Sequence, residues 1–309
     1  MINQKKIIVI VPAYNVEGQI TKAVQHLDEF VDWIIIVDDC SKDGSLSEIR
    51  KIKDDRIIIL ENKINKGVGG AIKEGFKKGL EISGDIFIKY DGDGQMDPLY
   101  IKDLIAPLLE GNDYAKGNRF IQTGRLNVMP KIRLFGNFLL TFLTKLASGY
   151  WNIFDPQNGF TALKREVLEQ LPLNKISNRY FFENDMLIHM NILRAKVKDV
   201  SIPAKYGNER SSMNLFNITV TFPWLLLKGF FYRIYHKYIL YDFSIIGLFY
   251  LAGLFLMGFG ISFGTYGWIK SVSSGVIATT GTVMIAVLPI ILGFQLVLQA
   301  IVLEIQSDR

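Results

Sequence analysis

Short apolar runs alternate with amphipathic stretches along the first two thirds of the chain. The runs KIIVIV, WIIIVDD, RIIILEN and DIFIKYD are apolar at nearly every position, which predicts buried strands. The stretches between them, among them EGQITKAVQHLDEF and GGAIKEGFKKGLEIS, repeat apolar residues at helical spacing. Strands that are apolar on both faces and alternate with helices favour a mostly parallel sheet with helices on both sides. We therefore expect an α/β fold of Rossmann-like type.

The pattern becomes less regular after residue 115. DYAKGNRF predicts a strand that leads into a loop, and KVKDVSIPAKY predicts a last strand. Residues 131–148, KIRLFGNFLLTFLTKLAS, predict a helix with a wide apolar face and cations at one end. Residues 213–238 carry a similar mixture of apolar, aromatic and basic side chains. We expect these two stretches to form helices that lie along a membrane surface, with ordinary core-facing helices as the alternative.

Two long apolar segments close the sequence. Residues 241–268 and 276–303 each exceed the roughly 20 residues that a membrane-spanning helix needs, and only a short polar stretch separates them. We therefore predict a transmembrane hairpin. Cations and aromatic residues precede the first span, which places that side, the globular part and both termini in the cytosol. The predicted organisation is a globular domain at 1–212, interfacial amphipathic helices at 213–240 and the hairpin at 241–309.

Composition narrows the possible functions. Lys and Arg outnumber Asp and Glu by 35 to 30, without the basic and aromatic clusters that nucleic-acid surfaces show. The single cysteine, Cys40, excludes an intrachain disulfide. The three histidines have no spacing typical of metal ligands. The first apolar run stops at Pro12 and is too short for a signal-peptide core.

Polar and glycine-rich residues collect directly after the predicted strands. PAYN, DDCSKDGS, NKGVGG and DGDGQ follow the first four strands in that order. The carboxyl ends of parallel strands meet at one edge of a sheet, and ligands bind at that edge. The sequence therefore predicts one site there.

Asp91 and Asp93 follow the fourth predicted strand, with glycines beside them. Two carboxylates so close repel each other unless a cation lies near them. An EF-hand loop is excluded, because its glycine and final acidic positions hold Met96 and Lys102. Hard oxygen ligands suit Mg²⁺ or Mn²⁺, and the Gln95 amide oxygen is a further candidate ligand. The alternative is a pair of solvated turn carboxylates.

The other loops carry residues suited to a nucleotide. Tyr14 offers a ring for stacking, and Glu17 is a polar group for a base or ribose. Of Asp38 and Asp39, one is expected to accept a hydrogen bond from a nucleobase and the other to cap the next helix. Lys66 is a candidate phosphate contact, in a loop whose glycines allow close approach but depart from the dinucleotide fingerprint.

The order of these motifs resembles a known enzyme group. VPAYN, DDCSKDGS, NKGVGGA, DGDGQ, GNRF, DPQNGF and END follow one another as in inverting nucleotide-sugar glycosyltransferases of the GT-A fold. Together with RLFGNFLLTFLTKLASG and two apolar C-terminal segments, the chain resembles the polyprenyl-phosphate glycosyltransferases, which include dolichyl-phosphate mannose synthase and bactoprenol glucosyltransferase. The resemblance implies a UDP- or GDP-linked hexose as donor, a polyprenyl monophosphate as acceptor, and Mg²⁺ or Mn²⁺ as cofactor.

The resemblance also implies roles for individual residues. It implies a nucleotide pocket lined by Pro12, Tyr14, Glu17, Asp39 and Gly67. It implies a divalent cation held by Asp91, Asp93 and Gln95. Arg119 and Arg133 would grip the lipid phosphate, Arg210 would close over the donor phosphates, and Asp155 would face the reaction centre. The alternatives are a surface ion pair for Arg119 and a structural turn for Asp155.

The expected reaction needs little base catalysis. The acceptor phosphate is already ionised, so the barrier is lowered by positioning and by charge neutralisation, and in-line attack inverts the anomeric carbon. Glu183 and Asp185 are expected to begin a helix at the rim of the pocket, with a base role for either left open.

Two other functions are weighed against this one. A processive polysaccharide synthase of the same fold carries a Gln-x-x-Arg-Trp element, and no Trp follows an Arg in this sequence. A catalytically silent membrane scaffold predicts no metal-dependent nucleotide binding. The pair Gly260 and Gly264 is a small-xxx-small match that would let helices pack closely, with chance occurrence as the alternative. A homo-oligomer through the apolar helices is left open. Neither the nucleobase, the sugar nor the carrier length follows from the sequence.

Overall fold

The computed structural model describes residues 2–119, 131–203 and 215–307. Their contacts divide the chain into two compact units, Met1–Phe230 and Phe231–Arg309. The first unit contains a sheet with its helices, and the second contains two long apolar helices. The boundary falls inside the stretch expected to be interfacial, and the three-part division at 212 and 240 stays a prediction.

Seven strands form one mixed sheet in the first unit. They are β1 (Ile7–Ala13), β2 (Trp33–Asp38), β3 (Ile57–Glu61), β4 (Ile86–Lys89), β5 (Tyr114–Asn118), β6 (Thr161–Lys164) and β7 (Val197–Ser201). Their order is β3-β2-β1-β4-β6-β5-β7. All neighbours are parallel except β6, which runs antiparallel to β4 and β5. The mostly parallel α/β sheet is confirmed, and β6 is an added strand whose residues, TALK, form no apolar run in the sequence.

Helices cover both faces of this sheet. They are α1 (Ile20–Gln25), α2 (Ser45–Ile49), α3 (Val68–Glu81), α4 (Ile101–Leu109), α5 (Lys131–Ser148), α6 (Arg165–Leu168), α7 (Phe182–Ile192) and α8 (Leu215–Arg233), with a 3₁₀ turn at Pro98–Tyr100. Side chains of alternate residues in β1 point to opposite faces of the sheet. Ile7 and Val9 belong to a core shared with α1 and α4, whereas Ile8 and Ile10 belong to a core shared with α3 and α7. Both faces of a central strand are therefore buried, as its unbroken apolar run predicts.

Backbone hydrogen bonds continue past the strands and keep the loops after them in register. Asp39 N donates to Ala13 O at 2.8 Å, and Asn62 N donates to Asp38 O at 2.9 Å. Tyr90 N donates to Ile10 O at 3.0 Å. The loops after β1, β2 and β4 consequently start at the same edge of the sheet, where the sequence predicts the site.

Helices α5, α7 and α8 share a small apolar core. Its buried members are Ala147, Phe181, Ile188, Phe222 and Leu226. Aromatic side chains also project outward from α5 and α8, where Phe138 is 77% exposed and Trp224 is 66% exposed. Exposed aromatic residues on adjacent helices are typical of surfaces that meet a membrane. The predicted helices are present, and their position on a membrane stays a prediction.

The second unit is a helical hairpin. A π-helical turn, Ile234–Leu240, precedes α9 (Ile245–Ser274) and α10 (Thr280–Ser307). By length and composition, both long helices can cross a membrane. Both helices begin and end four to six residues later than the expected spans. In α9 this is because Ser244 caps the start of the helix and Gly275, at φ 68°, ends it. The polar residues before Gly275 stay helical, since polarity alone does not break a helix.

Glycines and one buried ion pair hold this hairpin together. A Cβ atom on Gly293 would lie 2.6 Å from Gly253 O, so the two helices cross in backbone contact there. At the other end, Arg233 forms a fully buried ion pair with Glu304. Tyr238 Oη donates to Glu304 Oε1 at 2.7 Å, which leaves the carboxylate well satisfied despite its burial.

Candidate active site

A cavity of about 770 Å³ opens at the carboxyl edge of the sheet in the first unit. Six residues predicted for the site line it: Pro12, Tyr14, Asp39, Gly67, Asp91 and Asp93. Pro12 lies near the end of β1, and the others come from the loops after β1, β2, β3 and β4, which are far apart in the sequence. The structure therefore brings the strand-end motifs together, while the role of each residue stays a prediction.

Asp39 organises the wall of the cavity through its carboxylate, which is 2% exposed. Its Oδ1 accepts hydrogen bonds from Lys66 N at 2.9 Å and from Asn62 Nδ2 at 2.8 Å. Its Oδ2 accepts from Gly67 N at 2.7 Å. The side chain thus ties the end of β2 to the turn before α3. The neighbouring Asp38 has only one such bond among the described residues, from Ser41 N to Oδ2 at 3.2 Å.

Gly67 allows a second segment to pack closely over this turn. Its φ is 84°, and a Cβ atom there would lie 2.7 Å from Asn178 O and 2.9 Å from Arg179 Cγ. Gly70 N donates to Asn178 O at 3.0 Å, which fixes the segment to the first turn of α3. Arg179 consequently stands over the glycine turn and lines the cavity. Its guanidinium has no hydrogen bond or ion pair with any residue that the structure describes.

Asp91 lies on the floor of the cavity beside a buried lysine. Lys89 Nζ is 2.8 Å from Asp91 Oδ1 and 3.3 Å from Glu183 Oε1. Lys89 and Asp91 are two residues apart at the end of β4, and Glu183 comes from the first turn of α7. Burial lowers the pKa of Lys89, but the two carboxylates more than offset that effect, so its pKa is raised. The ammonium is therefore charged at neutral pH.

Asp93 faces the same cavity from the following turn. Its Oδ1 accepts a hydrogen bond from Gln95 N at 3.0 Å, so Gln95 contributes its backbone amide to the turn. The Gln95 side chain is exposed and is not among the residues that line the cavity. Its role as a ligand stays a prediction.

The two aspartates fit a divalent cation that takes its other ligands from a substrate. Within the described residues, no group of three or more His, Cys, Asp and Glu side chains is arranged to hold a metal ion by itself. Asp91 and Asp93 supply two hard carboxylates in an accessible cavity. Mg²⁺ and Mn²⁺ typically bind through one or two carboxylates together with substrate phosphates. The donor set thus matches a cation that arrives with a phosphorylated ligand.

Two predicted nucleotide contacts are engaged elsewhere. Glu17 Oε2 accepts a hydrogen bond from Gly44 N at 2.9 Å, which joins the loops after β1 and β2. Lys66 Nζ lies 3.0 Å from Glu74 Oε1 on α3. Neither side chain is among those lining the cavity. Both shape the loops in this structure, and their predicted contacts with a nucleotide remain untested.

Arg119 and Asp155 form a two-point ion pair. Arg119 Nε lies 2.7 Å from Asp155 Oδ2, and Arg119 Nη2 lies 3.0 Å from Asp155 Oδ1. Asp155 is 2% exposed, and neither residue lines the cavity. The backbone of Arg133 lies in α5 without a described side chain, and Arg210 lies outside the described residues. The predicted roles of these four residues therefore remain predictions.

A second polar cluster lies behind this ion pair. Asp199 Oδ2 accepts from Asn118 Nδ2 at 2.6 Å and from Phe154 N at 2.9 Å. Burial raises the pKa of Asp199. Lys116 is fully buried and donates to Asn158 O, and burial lowers its pKa to about 8. These groups hold β5, β7 and the loop before β6 in place around Asp155.

The sequence motifs missed several residues of the cavity. Lys89, Arg179, Tyr180 and Phe222 line it without belonging to any predicted contact set. Gly159, which lies in the DPQNGF motif, also lines the cavity. Lys89 carried a usable signal, because a lysine inside an apolar strand is buried at high cost unless a carboxylate lies beside it.

Comparison with known proteins identifies the family. Residues 8–172 match Glycosyl transferase family 2. The UDP-N-acetylglucosamine–dolichyl-phosphate N-acetylglucosaminyltransferase of Methanococcus voltae is 31% identical over 72% of this chain and 96% of its own length. The dolichol-phosphate mannosyltransferase of Pyrococcus furiosus is 29% identical over 65% of this chain and 56% of its own.

A solved structure supports the same fold. Glucosyl-3-phosphoglycerate synthase from Mycobacterium tuberculosis, crystallised with Mn²⁺, UDP-glucose and phosphoglyceric acid, aligns with a TM-score of 0.55 at 22% identity. The alignment covers 74% of this chain and 80% of that one, which confirms the GT-A-like sheet. The sequence match covers more than half of the chain, and the protein belongs to glycosyl transferase family 2.

Proposed function

We propose that the protein transfers one hexose from a UDP- or GDP-linked sugar to a polyprenyl monophosphate, with inversion at the anomeric carbon. One observation carries the proposal. The cavity has two adjacent aspartates on its floor, and its wall includes Phe222 of α8, a helix whose outer face is aromatic and exposed. The same cavity thus offers a polar end for a diphosphate and an apolar end for a prenyl chain. The names of the relatives from Methanococcus and Pyrococcus support this choice of acceptor.

The donor end is formed by the loops after β1, β2 and β3. Tyr14, which is 44% exposed, presents a ring for stacking on the nucleobase. Gly67 leaves room for the segment that carries Arg179, because a Cβ atom there would lie 2.7 Å from Asn178 O and 2.9 Å from Arg179 Cγ. Arg179 adds a positive charge at the mouth of the cavity, where a diphosphate would enter.

Asp91 and Asp93 would hold a divalent cation, Mg²⁺ or Mn²⁺, against the donor diphosphate. Such a cation supplies Lewis-acid stabilisation of the negative charge on the departing nucleotide. The residues of this chain provide the remaining requirements. They fix the two carboxylates, Asp91 through the Lys89 ammonium and Asp93 through the Gln95 backbone amide.

The acceptor requires charge neutralisation more than a base. A phosphate monoester is already ionised at neutral pH, so its oxygen can attack without giving up a proton. Glu183, for which a base role was left open, is paired with Lys89. Arg119 is the described cation at the end of β5, and the acceptor phosphate would compete with Asp155 for it. Asp155, which is buried and does not line the cavity, would stabilise positive charge on the sugar only if this exchange exposed its carboxylate to the cavity.

Membrane attachment brings the acceptor to the enzyme. Helices α9 and α10 are long and apolar enough to cross a bilayer. The aromatic faces of α5 and α8 suit the zone between lipid tails and water. Basic and aromatic residues just before the hairpin support a cytosolic position for the first unit, where nucleotide sugars are made.

The decisive experiment is a donor screen with the purified full-length protein. Labelled UDP-glucose, UDP-N-acetylglucosamine and GDP-mannose are each incubated with Mg²⁺ or Mn²⁺ and a polyprenyl phosphate, and the organic extract is analysed by mass spectrometry. We expect one donor to give a lipid that carries a single sugar. Label in an insoluble polymer would identify a processive synthase instead, and an absence of label with every donor would contradict the proposal.

Matched variants separate the two site aspartates from a neighbour. Asp91→Asn and Asp93→Asn should each lower transfer at least about a hundredfold, since each removes a charged ligand from the proposed cation. Asp97→Asn is the control, because Asp97 caps the next helical turn by accepting from Leu99 N and asparagine caps equally well. Equal losses in all three variants would show that the motif only supports the fold.

A further inference from the structure

Lys89 is a buried cation whose surroundings fix its position. Its side chain is 3% exposed, and its ammonium bridges Asp91 and Glu183 at 2.8 and 3.3 Å. A Cβ atom on Gly159 would overlap Lys89 Nζ and would lie 3.0 Å from Asp91 Oδ2. The ammonium therefore fills the space between the end of β4, the loop before β6 and the first turn of α7.

The ammonium changes the charge of the floor of the cavity. Asp91, Asp93 and Glu183 carry three negative charges, and Lys89 reduces their net charge from −3 to −2. The two other charged residues that line the cavity, Asp39 and Arg179, are of opposite sign and leave this sum unchanged. A divalent cation balances a charge of −2, after which a diphosphate can bind without net repulsion. At −3, the same carboxylates would attract a free cation more strongly and repel the diphosphate after it bound. Fixed charges at such short range change ionic equilibria by about tenfold or more.

We propose that Lys89 acts as a tethered cation of the donor site, a positioning residue that weakens the binding of a free divalent cation to Asp91 and Asp93 and strengthens the binding of the nucleotide diphosphate. The inference rests on the proposed function, in that the ligand is a nucleotide diphosphate bound together with a divalent cation. Its consequence is that the cation binds well only in company with the donor. A site built in this way holds little metal between turnovers.

Two binding measurements on the full-length protein in detergent test the inference. Mn²⁺ alone is titrated and the free ion is followed by electron paramagnetic resonance. UDP and GDP are then titrated by calorimetry at saturating Mn²⁺. For Lys89→Met we expect Mn²⁺ to bind about tenfold more tightly and the nucleotide to bind about tenfold more weakly. A lysine that only supports the fold would weaken both ligands, so opposite changes are the diagnostic result.

Charge restoration provides the second test. Glu183→Gln should weaken Mn²⁺ binding about tenfold, because it brings the net charge from −2 to −1. The double variant K89M/E183Q returns the charge to −2, and its Mn²⁺ affinity should lie within about threefold of the original. This comparison remains informative even where Lys89→Met alone does not fold. If the double variant binds Mn²⁺ no better than Glu183→Gln, charge is not the cause and the inference is overturned.

Lys73→Met is the matched control. Lys73 is also a buried lysine of the first unit, at 8% exposure, but its Nζ donates to a backbone oxygen, Ile176 O, at 2.7 Å. The Mn²⁺ affinity of the Lys73→Met protein should equal that of the original protein. Weaker or unchanged Mn²⁺ binding in a folded Lys89→Met protein would refute the role of Lys89. The proposed function fails differently, when the original protein binds Mn²⁺ and nucleotide normally but transfers no sugar to a polyprenyl phosphate.

Discussion

Asp39→Asn should destabilise the first unit strongly, although it removes no atom from the core. The Asp39 carboxylate accepts three hydrogen bonds from three separate donors, two on Oδ1 and one on Oδ2. Asparagine has one oxygen and one NH₂ group in the same space. Whichever way the amide is turned, its NH₂ faces at least one N–H donor that it cannot satisfy.

The size of the effect follows from these contacts. With the amide oxygen at the Oδ1 position, the bonds from Asn62 and Lys66 survive without charge assistance, and Gly67 N loses its acceptor. A buried unsatisfied donor costs about 1–3 kcal/mol, and the loss of charge on two bonds adds roughly 1 kcal/mol. We expect a loss of about 3 kcal/mol in the free energy of unfolding. For a unit of this size that is a fall in Tm of roughly 6–12 °C.

Thermal unfolding followed by intrinsic fluorescence measures the change, with Asp38→Asn as the control. Asp38 is buried to the same degree, 3% exposed against 2% for Asp39. It accepts one hydrogen bond on Oδ2, and its Oδ1 has no partner among the described residues. Asparagine can keep that bond and place its NH₂ at the unpartnered position, so the Tm should change by less than about 3 °C. Equal destabilisation by the two variants would refute the reasoning, because it would show that burial of the charge, and not the set of acceptors, decides.

Three further predictions concern other parts of the chain. Glu304→Gln should lower the Tm of the second unit by several degrees, because it leaves the Arg233 guanidinium buried without a counter-charge, and unfolding melts in detergent measure it. Gly293→Ala should also destabilise this unit, since its Cβ would meet a backbone oxygen of the facing helix, whereas Gly258→Ala, with open space around it, should not. Burial lowers the pKa of Lys116 to about 8 in the folded protein, whereas an unfolded lysine has a pKa of about 10.4. Between these two pH values the unfolded chain binds more protons than the folded protein. The free energy of unfolding should therefore rise with pH in this range, by up to roughly 3 kcal/mol from this lysine. The Tm of the Lys116→Met protein minus the Tm of the original protein should therefore fall by several degrees from pH 7 to pH 10. A difference that does not change with pH would contradict the assignment.

Periodicity predicts the elements of this fold where burial is uniform. The apolar runs of β1, β2 and β4 predict buried strands, since a central parallel strand is covered on both sides. The run of β3 is just as apolar, although β3 lies at the edge of the sheet and is only half-buried. Periodicity gives no signal for β6, whose residues TALK form no apolar run, although β6 is no shorter than β4. β6 runs antiparallel to both of its neighbours, β4 and β5. The ends of α9 also differ from the hydropathy boundaries, because Gly275 in a left-handed conformation ends the helix and the loss of apolar residues does not.

The site is predictable where the backbone forms it and unpredictable where side chains pair across it. The glycine and aspartate motifs mark strand ends, and parallel strands bring their carboxyl ends to one edge. Six predicted residues line the cavity for that reason. By contrast, Arg119 and Asp155 are 36 positions apart, and no sequence pattern indicates that each would satisfy the other. Glu17 and Lys66 similarly do not line the cavity, because Glu17 accepts a hydrogen bond from Gly44 N and Lys66 pairs with Glu74.

Lys89 shows how much of the site a single residue can predict from the sequence. A lysine in the middle of IFIKYD interrupts a run that is otherwise buried on both faces. Burying an unpaired ammonium costs several kcal/mol, so its presence requires a carboxylate on the same face of the strand. Residues two apart on a strand share a face, which singles out Asp91. The same reasoning predicts that one carboxylate is too few, because Asp91 also faces the cavity, and the second one, Glu183, comes from a helix that only the tertiary structure could place.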